Sequence, residues 1–575
     1  MASEEGASHT NTALSSDAKT HEHHQGMNLD SGPNTIHPIA RIPTEILAEI
    51  FSFCTPSDYF QPTVSTVQER LREWLNFTHV CQDWRTIALS TPSLWTSPDF
   101  RIPSLSREML ARSKPALLDL RLMDFSIVYS QSPEVACGLL TDALNELGRI
   151  RSLELEMFLS SYYNDLGLME EIMKVLAHPA PSLRSFSLGI FYDQFVGPDR
   201  LLSLPRIALG SYPCLTELVL DDCDLPGDSG WLRNLTILKI DCVSRPVRQP
   251  PTIAQFVEYL GTMPHLTILE LVGYLPCFYS QRPKTHSPPM LLPNLKRLVL
   301  TSSILRIASI LSYILPPATA TICITCYETS RALPDTEEAL SIVLAFIADI
   351  HGPGTSRRIE ALEVCDNDRD ANTHGVLIIK TWAAVIDETD DTDDNFTPRP
   401  NFRVDLYCNE SDIEARDRSL LHIADKILSL VPLGELKTLT YCWLLEPARF
   451  LRRHFGSLTS LESITDVRGY HFNKVIATLA EMRSEESTSG VLFPALRQVV
   501  LLKITCTARI AADQDEEMWG AFFWHNFEAR RNLGGHIPML VLKRCQNVDV
   551  KQVQWLEERG VRVKLLQVDL LEAAN

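Results

Sequence analysis

Three groups of residues have types and spacings that could do chemistry. Gly227-Asp228-Ser229-Gly230 could present a serine nucleophile, Cys323 and Cys326 form a Cys-x-x-Cys pair, and His21, His23 and His24 lie close enough together to hold a cation. Each needs partners. A serine without a positioned base is inert, and no Ala-Ala-His-Cys-like segment stands upstream to supply one. A zinc site would need a second cysteine pair, and a redox site would need a helix N-terminus following a strand. Neither is visible, so the two cysteines read as buried strand residues. A histidine metal site needs fixed geometry and hydrogen-bonded ligands, and a polar tail provides neither. The chain also lacks a P-loop, a dinucleotide fingerprint and an HExxH helix. No catalytic, cofactor-binding or metal-ligating residue is assigned, no cofactor is expected, and the reading is of a non-enzyme.

Composition narrows the classes further. The chain has 575 residues, 45% of them hydrophobic and 22% charged, enough apolar material for a sizeable core. Its 72 acidic and 53 basic residues give a net charge of −19. That charge repels phosphate backbones, so no nucleic-acid partner is expected. Fourteen cysteines at irregular spacing are too few for a disulfide scaffold and point to a reducing compartment. No signal peptide, membrane span or prenylation box is read, so no membrane association is expected. The sequons at Asn76, Asn234, Asn395 and Asn409 are then chance matches. The expected location is intracellular, cytoplasmic and/or nuclear.

Residues 1–35 carry almost no large apolar side chains and read as a disordered tail. Helical periodicity begins after it. Pro43 stands where a helix would start, Ile46, Leu47, Ile50, Phe51 and Cys54 follow at helical spacing, and Pro56 ends the run. Val67, Leu71, Trp74 and Leu75 show a second period. Phe77, Val80, Cys81, Trp84, Ile87 and Ala88 show a third, closed by Pro92, with Leu94 and Trp95 as an apolar plug. So small a three-helix unit has little interior, and its apolar load implies a partner.

Three blocks here carry a family resemblance. Pro43-Thr44-Glu45-Ile46-Leu47-Ala48-Glu49-Ile50-Phe51 resembles the opening of an F-box, Val80-Cys81-Gln82-Asp83-Trp84-Arg85 its second half, and Pro92-Ser93-Leu94-Trp95 its closing Leu-Trp. The segment from Thr55 to Val67 is longer than a minimal F-box has. The wording LWTSPDF and then LARSKPALLDL resembles the expanded F-box families of mushroom-forming fungi. The resemblance implies a module, residues 36–100, that binds the Skp adaptor of a cullin-based ubiquitin ligase. Pro43, Ile46, Leu47, Ile50, Val80, Trp84 and Trp95 are the expected adaptor-binding face and its support. Leu47→Asp is expected to break that contact.

Beyond residue 100 a short pattern recurs: apolar, two variable, apolar, one variable, apolar. Copies are Ile150-Leu153-Leu155, Leu183-Phe186-Leu188, Leu215-Leu218-Leu220, Leu235-Leu238-Ile240, Leu266-Leu269-Leu271 and Leu295-Leu298-Leu300. Weaker ones are Ile359-Leu362-Val364, Leu436-Leu439-Tyr441, Leu496-Val499-Leu501 and Ile537-Leu540-Leu542. The run from Leu215 to Leu225 fits a full leucine-rich-repeat template with Cys223 in its Asn/Cys position, which Cys545 takes in the last copy. The alternation makes short strands. Stretches such as Met169 to Ala177 and Ile253 to Leu260 have helical periodicity, and Asp387 to Asn395 reads as a solvated loop.

The expected fold is therefore α+β: a three-helix F-box followed, over residues 101–575, by an irregular α/β leucine-rich-repeat solenoid with a curved parallel sheet. Ordinary α/β strands would also read as apolar runs. Side chains turned outward from the strands would bind a protein target, its identity unknown. They are Glu217, Val219, Asp221, Lys239, Asp241, Glu270 and Arg297, with Glu154, Ser187 and Glu363. Their acidic lean favours a basic segment. The expected function is a substrate-recognition subunit of a Skp–cullin–F-box ligase, and the alternative is a Skp-binding scaffold outside any ligase.

Overall fold

The computed structural model describes residues 38–54, 75–100, 102–122, 133–159, 172–192, 202–203, 212–225, 230–242, 251–276, 289–327, 334–352, 357–366, 375–385, 399–408, 412–442, 447–467, 472–480, 491–506, 509–512 and 515–571. The histidine tail, the second helical period from Val67 to Trp74, most of the Gly-Asp-Ser-Gly run and the loop from Asp387 to Asn395 lie outside the described residues. The chain divides into two compact units, Met1–Leu94 and Trp95–Asn575.

In the first unit, helix α1 (Thr44–Phe53) starts at Pro43, which is its N-cap. Proline suits a position whose N–H would have no helical acceptor. The third helical period does not form one helix. A 3₁₀ turn (Asn76–His79) is followed by a break, and helix α2 (Gln82–Ser90) begins afresh. The break lies at Cys81, whose backbone is extended, and whose sulfur accepts a hydrogen bond from the Trp84 N–H. That side-chain acceptor satisfies one of the free amides at a helix start. Leu47, Phe51, Phe77, Ala88 and Leu94 are buried. The Phe51 ring stacks on Phe77 at 4.6 Å and tilts against Trp84 at 5.0 Å.

In the second unit, strands alternate with helices along the chain. The strands of the main sheet are β1 (Leu118–Leu122), β2 (Ile150–Leu159), β3 (Ser185–Tyr192), β4 (Glu217–Asp221), β5 (Ile237–Asp241), β6 (Ile268–Val272), β7 (Arg297–Ser303) and β8 (Thr321–Tyr327). They continue as β9 (Ala361–Asp366), β10 (Gly375–Trp382), β11 (Phe402–Cys408), β12 (Thr438–Cys442), β13 (Ser463–Val467), β14 (Gln498–Leu502), β15 (Met539–Lys543) and β16 (Val563–Leu566). Among the described residues these sixteen form one sheet, and neighbours follow chain order except at one place. There the order runs β8, β11, β10, β9, β12. Strand β10 pairs antiparallel with both neighbours, and every other pairing in the sheet is parallel.

The last two apolar positions of every copy of the recurring pattern fall on a strand of this sheet, and the first lies at or just before its start. The alternation puts Leu153 and Leu155, Leu218 and Leu220, Leu269 and Leu271, and Leu540 and Leu542 on one buried face. Each such side chain contributes about 1.5–3 kcal/mol on burial. Helices α5 (Ile253–Gly261), α6 (Ile304–Leu311), α7 (Pro334–His351) and α8 (Ile413–Leu430), which follow α3 (Pro103–Arg112) and α4 (Pro133–Leu144) in the chain, send buried apolar residues into the same continuous core. The expected Ile253–Leu260 helix is α5, closed by a capping box between Thr252 and Gln255. Of the expected Met169–Ala177 helix, residues 172–176 are helical, Ala177 is in a turn, and residues 169–171 lie outside the described residues.

Polar groups repeat with the strands. The residue before the first apolar position of a copy donates its side chain to a carbonyl two positions before that of the preceding copy. Ser182 donates to Gly148 (3.0 Å), Asn234 to Pro213 (2.7 Å) and Asn294 to Pro264 (2.9 Å), and Ser460, before Leu461 on the approach to β13, donates likewise to Gly434 (3.0 Å). A second repeated device ends the strands. Asp222, Gly273, Lys503 and Arg544 take positive φ, and each N–H donates to a carbonyl of the next strand. A left-handed residue in this place turns the chain without losing its amide partner. Cys223 and Cys545 follow such corners, and both sulfurs donate back to strand carbonyls. That common role accounts for their shared position in the pattern.

Candidate functional site

Helix α1 is apolar on two sides. Leu47 and Phe51, four apart, face inward. Ile46, Ile50 and Phe53 follow one another by four and three residues and make an outward stripe. Ile46 is 48% exposed, Ile50 42% and Phe53 82%, and Val80, at the break before α2, is 60% exposed. Pro43 is exposed at the helix start, and Trp84 is half-buried. These side chains form a contiguous apolar patch outside the unit's own core.

The sequence-derived adaptor residues therefore separate into three groups. Pro43, Ile46, Ile50 and Val80 stand at the surface. Leu47, 5% exposed, and Trp84, tilted against Phe51, lie behind these. Trp95 belongs to the second unit, where it is buried with the Arg112 guanidinium 5.2 Å from its ring centre. Phe53 was missed. Its spacing from Ile46 and Ile50 was the available signal.

The open face of the second unit carries the expected target-binding residues. In register across β4 to β7 run Glu217, Ile237, Ile268 and Arg297, then Val219, Lys239, Glu270 and Val299, then Asp221, Asp241, Val272 and Thr301. All seven expected residues thus share one surface, half-buried except for exposed Asp241. Much of their charge is paired locally. Glu270 accepts from Arg297 Nε at 2.6 Å and lies 3.6 Å from Lys239 Nζ. Glu154 pairs with Arg121 (3.2 Å), and Glu217 accepts from the Ser185 hydroxyl (3.0 Å). Further along, Glu363 pairs with Lys380 (2.7 Å), and Arg403 reaches both oxygens of Asp405. The acidic surplus gathers where β4 and β5 end. There burial, then Asp241 and Asp222, push the Asp221 carboxyl up to about 6.

Comparison with protein families decides the first unit. The F-box-like family model matches residues 39–101. The chain carries an F-box-like domain. The match includes Pro43, Ile46, Leu47, Ile50, Val80, Trp84 and Trp95, and it spans the long connection after Thr55. F-box domains bind Skp-type adaptors and, through them, cullins. No curated protein matches the chain.

The residues singled out for chemistry are not assembled into a site. Cys323 lies on the open face and is half-buried, whereas Cys326 is fully buried on the other, as an odd spacing in a strand requires. The pair therefore cannot share one metal, and only Cys326 is a core residue. Among the described residues no three His, Cys, Asp or Glu side chains gather to hold a metal ion. Among the same residues no helix is long and apolar enough to cross a membrane.

Proposed function

We propose that the chain is a non-catalytic substrate receptor of a Skp–cullin–F-box ubiquitin ligase acting in the cytoplasm and/or nucleus. The F-box-like domain docks the Skp-type adaptor through Ile46, Ile50, Phe53 and Val80. The second unit is a leucine-rich-repeat-like solenoid whose open face binds the target protein, through Glu217, Val219, Asp221, Lys239, Asp241, Glu270 and Arg297. The observation that carries the reading is the outward apolar stripe on α1, inside the residues that match the F-box-like family. The solenoid reading is supported by near-sequential parallel strands and by polar links that recur from copy to copy. Such arrays use their extended sheet face for binding. The acidic surplus at Asp221 and Asp241 favours a basic segment on the target.

The test is co-purification of the full-length chain with the Skp-type adaptor and the cullin. Both together support the ligase receptor. Adaptor without cullin supports the alternative, a scaffold outside any ligase. Neither would overturn both readings.

A further inference from the structure

We infer that Cys365 on β9 and Cys442 on β12 are a dithiol site, closing reversibly into a disulfide when the chain meets a peroxide. The two are direct register partners on neighbouring parallel strands. Adjacent strands run about 4.7–4.9 Å apart, inside the roughly 4.4–6.8 Å between Cα atoms that a disulfide spans. Both side chains point to the open face and are partly exposed. The Cys365 sulfur also donates to Glu363 Oε1 at 3.3 Å.

Other close cysteines lack one of these features. Cys323 and Cys326 face opposite sides of β8. Cys506 and Cys545 touch but are buried at 8% and 1% exposure. Cys54, Cys81 and Cys214 are exposed, and none is a register partner of another cysteine. The Cys365–Cys442 pair combines access with a neighbour.

The chemistry balances with one peroxide. The contact with Cys442, then burial and the Glu363 carboxylate, hold the Cys365 thiol well above its ordinary pKa. Cys365 therefore keeps its proton, and Cys442 is the sulfur that attacks. Its attack on a peroxide oxygen breaks the O–O bond, leaving a sulfenic acid and one water. The Cys365 sulfur then attacks the Cys442 sulfur. The S–O bond breaks, and the hydroxyl leaves with the Cys365 proton as a second water. Two thiols are oxidised and the peroxide is reduced. A small thiol reverses the bond by exchange. The bond would fasten β9 to β12, beside the one antiparallel strand of the sheet.

The test uses the full chain treated with hydrogen peroxide at neutral pH, then alkylated under denaturing conditions and mapped without reduction. The expected result is a peptide linking Cys365 to Cys442 that disappears with dithiothreitol, while Cys506 and Cys545 remain alkylatable. In the Cys442→Ser chain, Cys365 should stay free. Phenylarsine oxide, which bridges two thiols, should protect both cysteines of the untreated chain from alkylation. The inference is overturned if oxidation reaches only the exposed Cys54 and Cys214, if Cys365 or Cys442 links elsewhere, or if the arsenical protects neither.

Discussion

The two units use their apolar residues in opposite ways. In the first, a single helix is apolar on both sides, and Phe51 packs inward while Ile46, Ile50 and Phe53 stand in water. In the second, leucines and isoleucines line one continuous interior, the sheet presents an open face of paired charges, and exposed apolar residues are scattered, as at Leu117, Val135 and Leu291. The difference teaches where each unit depends on something else. The first leaves apolar surface outside its own core. The second completes its own core, in which the strands and helices share one continuous apolar interior. Binding and stability should therefore respond to different substitutions.

The largest effect is expected in the second unit. Arg530 on helix α11 (Trp519–Asn532), which follows α9 (Pro447–Phe455) and α10 (Phe472–Leu479), is fully buried. Its guanidinium donates to the carbonyls of Leu479, Leu492, Phe493 and His536. Burial alone lowers its pKa, to about 10. Arg530→Met should remove this donor from all four carbonyls, of which Phe493 keeps the Leu496 N–H, and cost about 3–5 kcal/mol. Urea unfolding followed by tryptophan fluorescence should show the loss, with adaptor binding retained. Loss of adaptor binding as well would break the separation between the units.

A pH effect of up to about 3 kcal/mol should also belong to the second unit. His351, at the end of α7, is buried edge-on against Phe402, and neither ring nitrogen has a hydrogen-bond partner. Burial, then the charge of Arg357, lower its pKa from 6.5 to about 4. The folded chain thus resists a proton that the unfolded chain accepts. Stability should be full above about 6.5 and fall as pH drops towards 4. His351→Leu should flatten that part of the stability–pH profile, and an unchanged slope would contradict the assignment.

In the first unit, Ile50→Asp should weaken adaptor binding by about 2 kcal/mol or more, roughly thirtyfold, as for a buried interface anchor. Because Ile50 is outside the core, the melting curve should not move. Leu47→Asp is a different experiment. Leu47 is interior, so a charge there should unfold the unit, and lost binding would say nothing about contact.

The smallest effect is expected on the open face. Glu270→Ala should change stability by less than about 1 kcal/mol, since its pairs with Lys239 and Arg297 are partly solvated. It should nonetheless weaken binding of a lysine-rich probe peptide, measured by fluorescence anisotropy, by leaving two cations unneutralised. Binding of the same peptide should strengthen as pH rises through about 6, where Asp221 ionises.

Much of the second unit was legible because a parallel strand buried on one face must repeat the same spacing. Leu215-Leu218-Leu220 states both the strand and its inward side. The pattern failed where the chain departs from it. In β13, Asp466 occupies an inward register position beside Tyr441, so the apolar triplet is broken. Strands β10 and β11 fill the sheet backwards between β8 and β9, and no local periodicity encodes that reversal. In the F-box-like domain, the helix was legible but its orientation was not. Ile46 and Leu47 are equally apolar, and only the position of Phe77 and Trp84 decides which one faces inward. Break points are set by single side chains, as at Cys81, and spacing alone ran that helix through.

The measurement that tests the account most directly is the affinity of the purified full-length chain for a purified Skp-type adaptor, compared with that of Ile50→Asp, alongside melting curves of both. A stable complex is expected for the natural chain, with at least about thirtyfold weaker binding for the variant and superimposable melts. Equal binding by the two chains, or no binding by either, would contradict it.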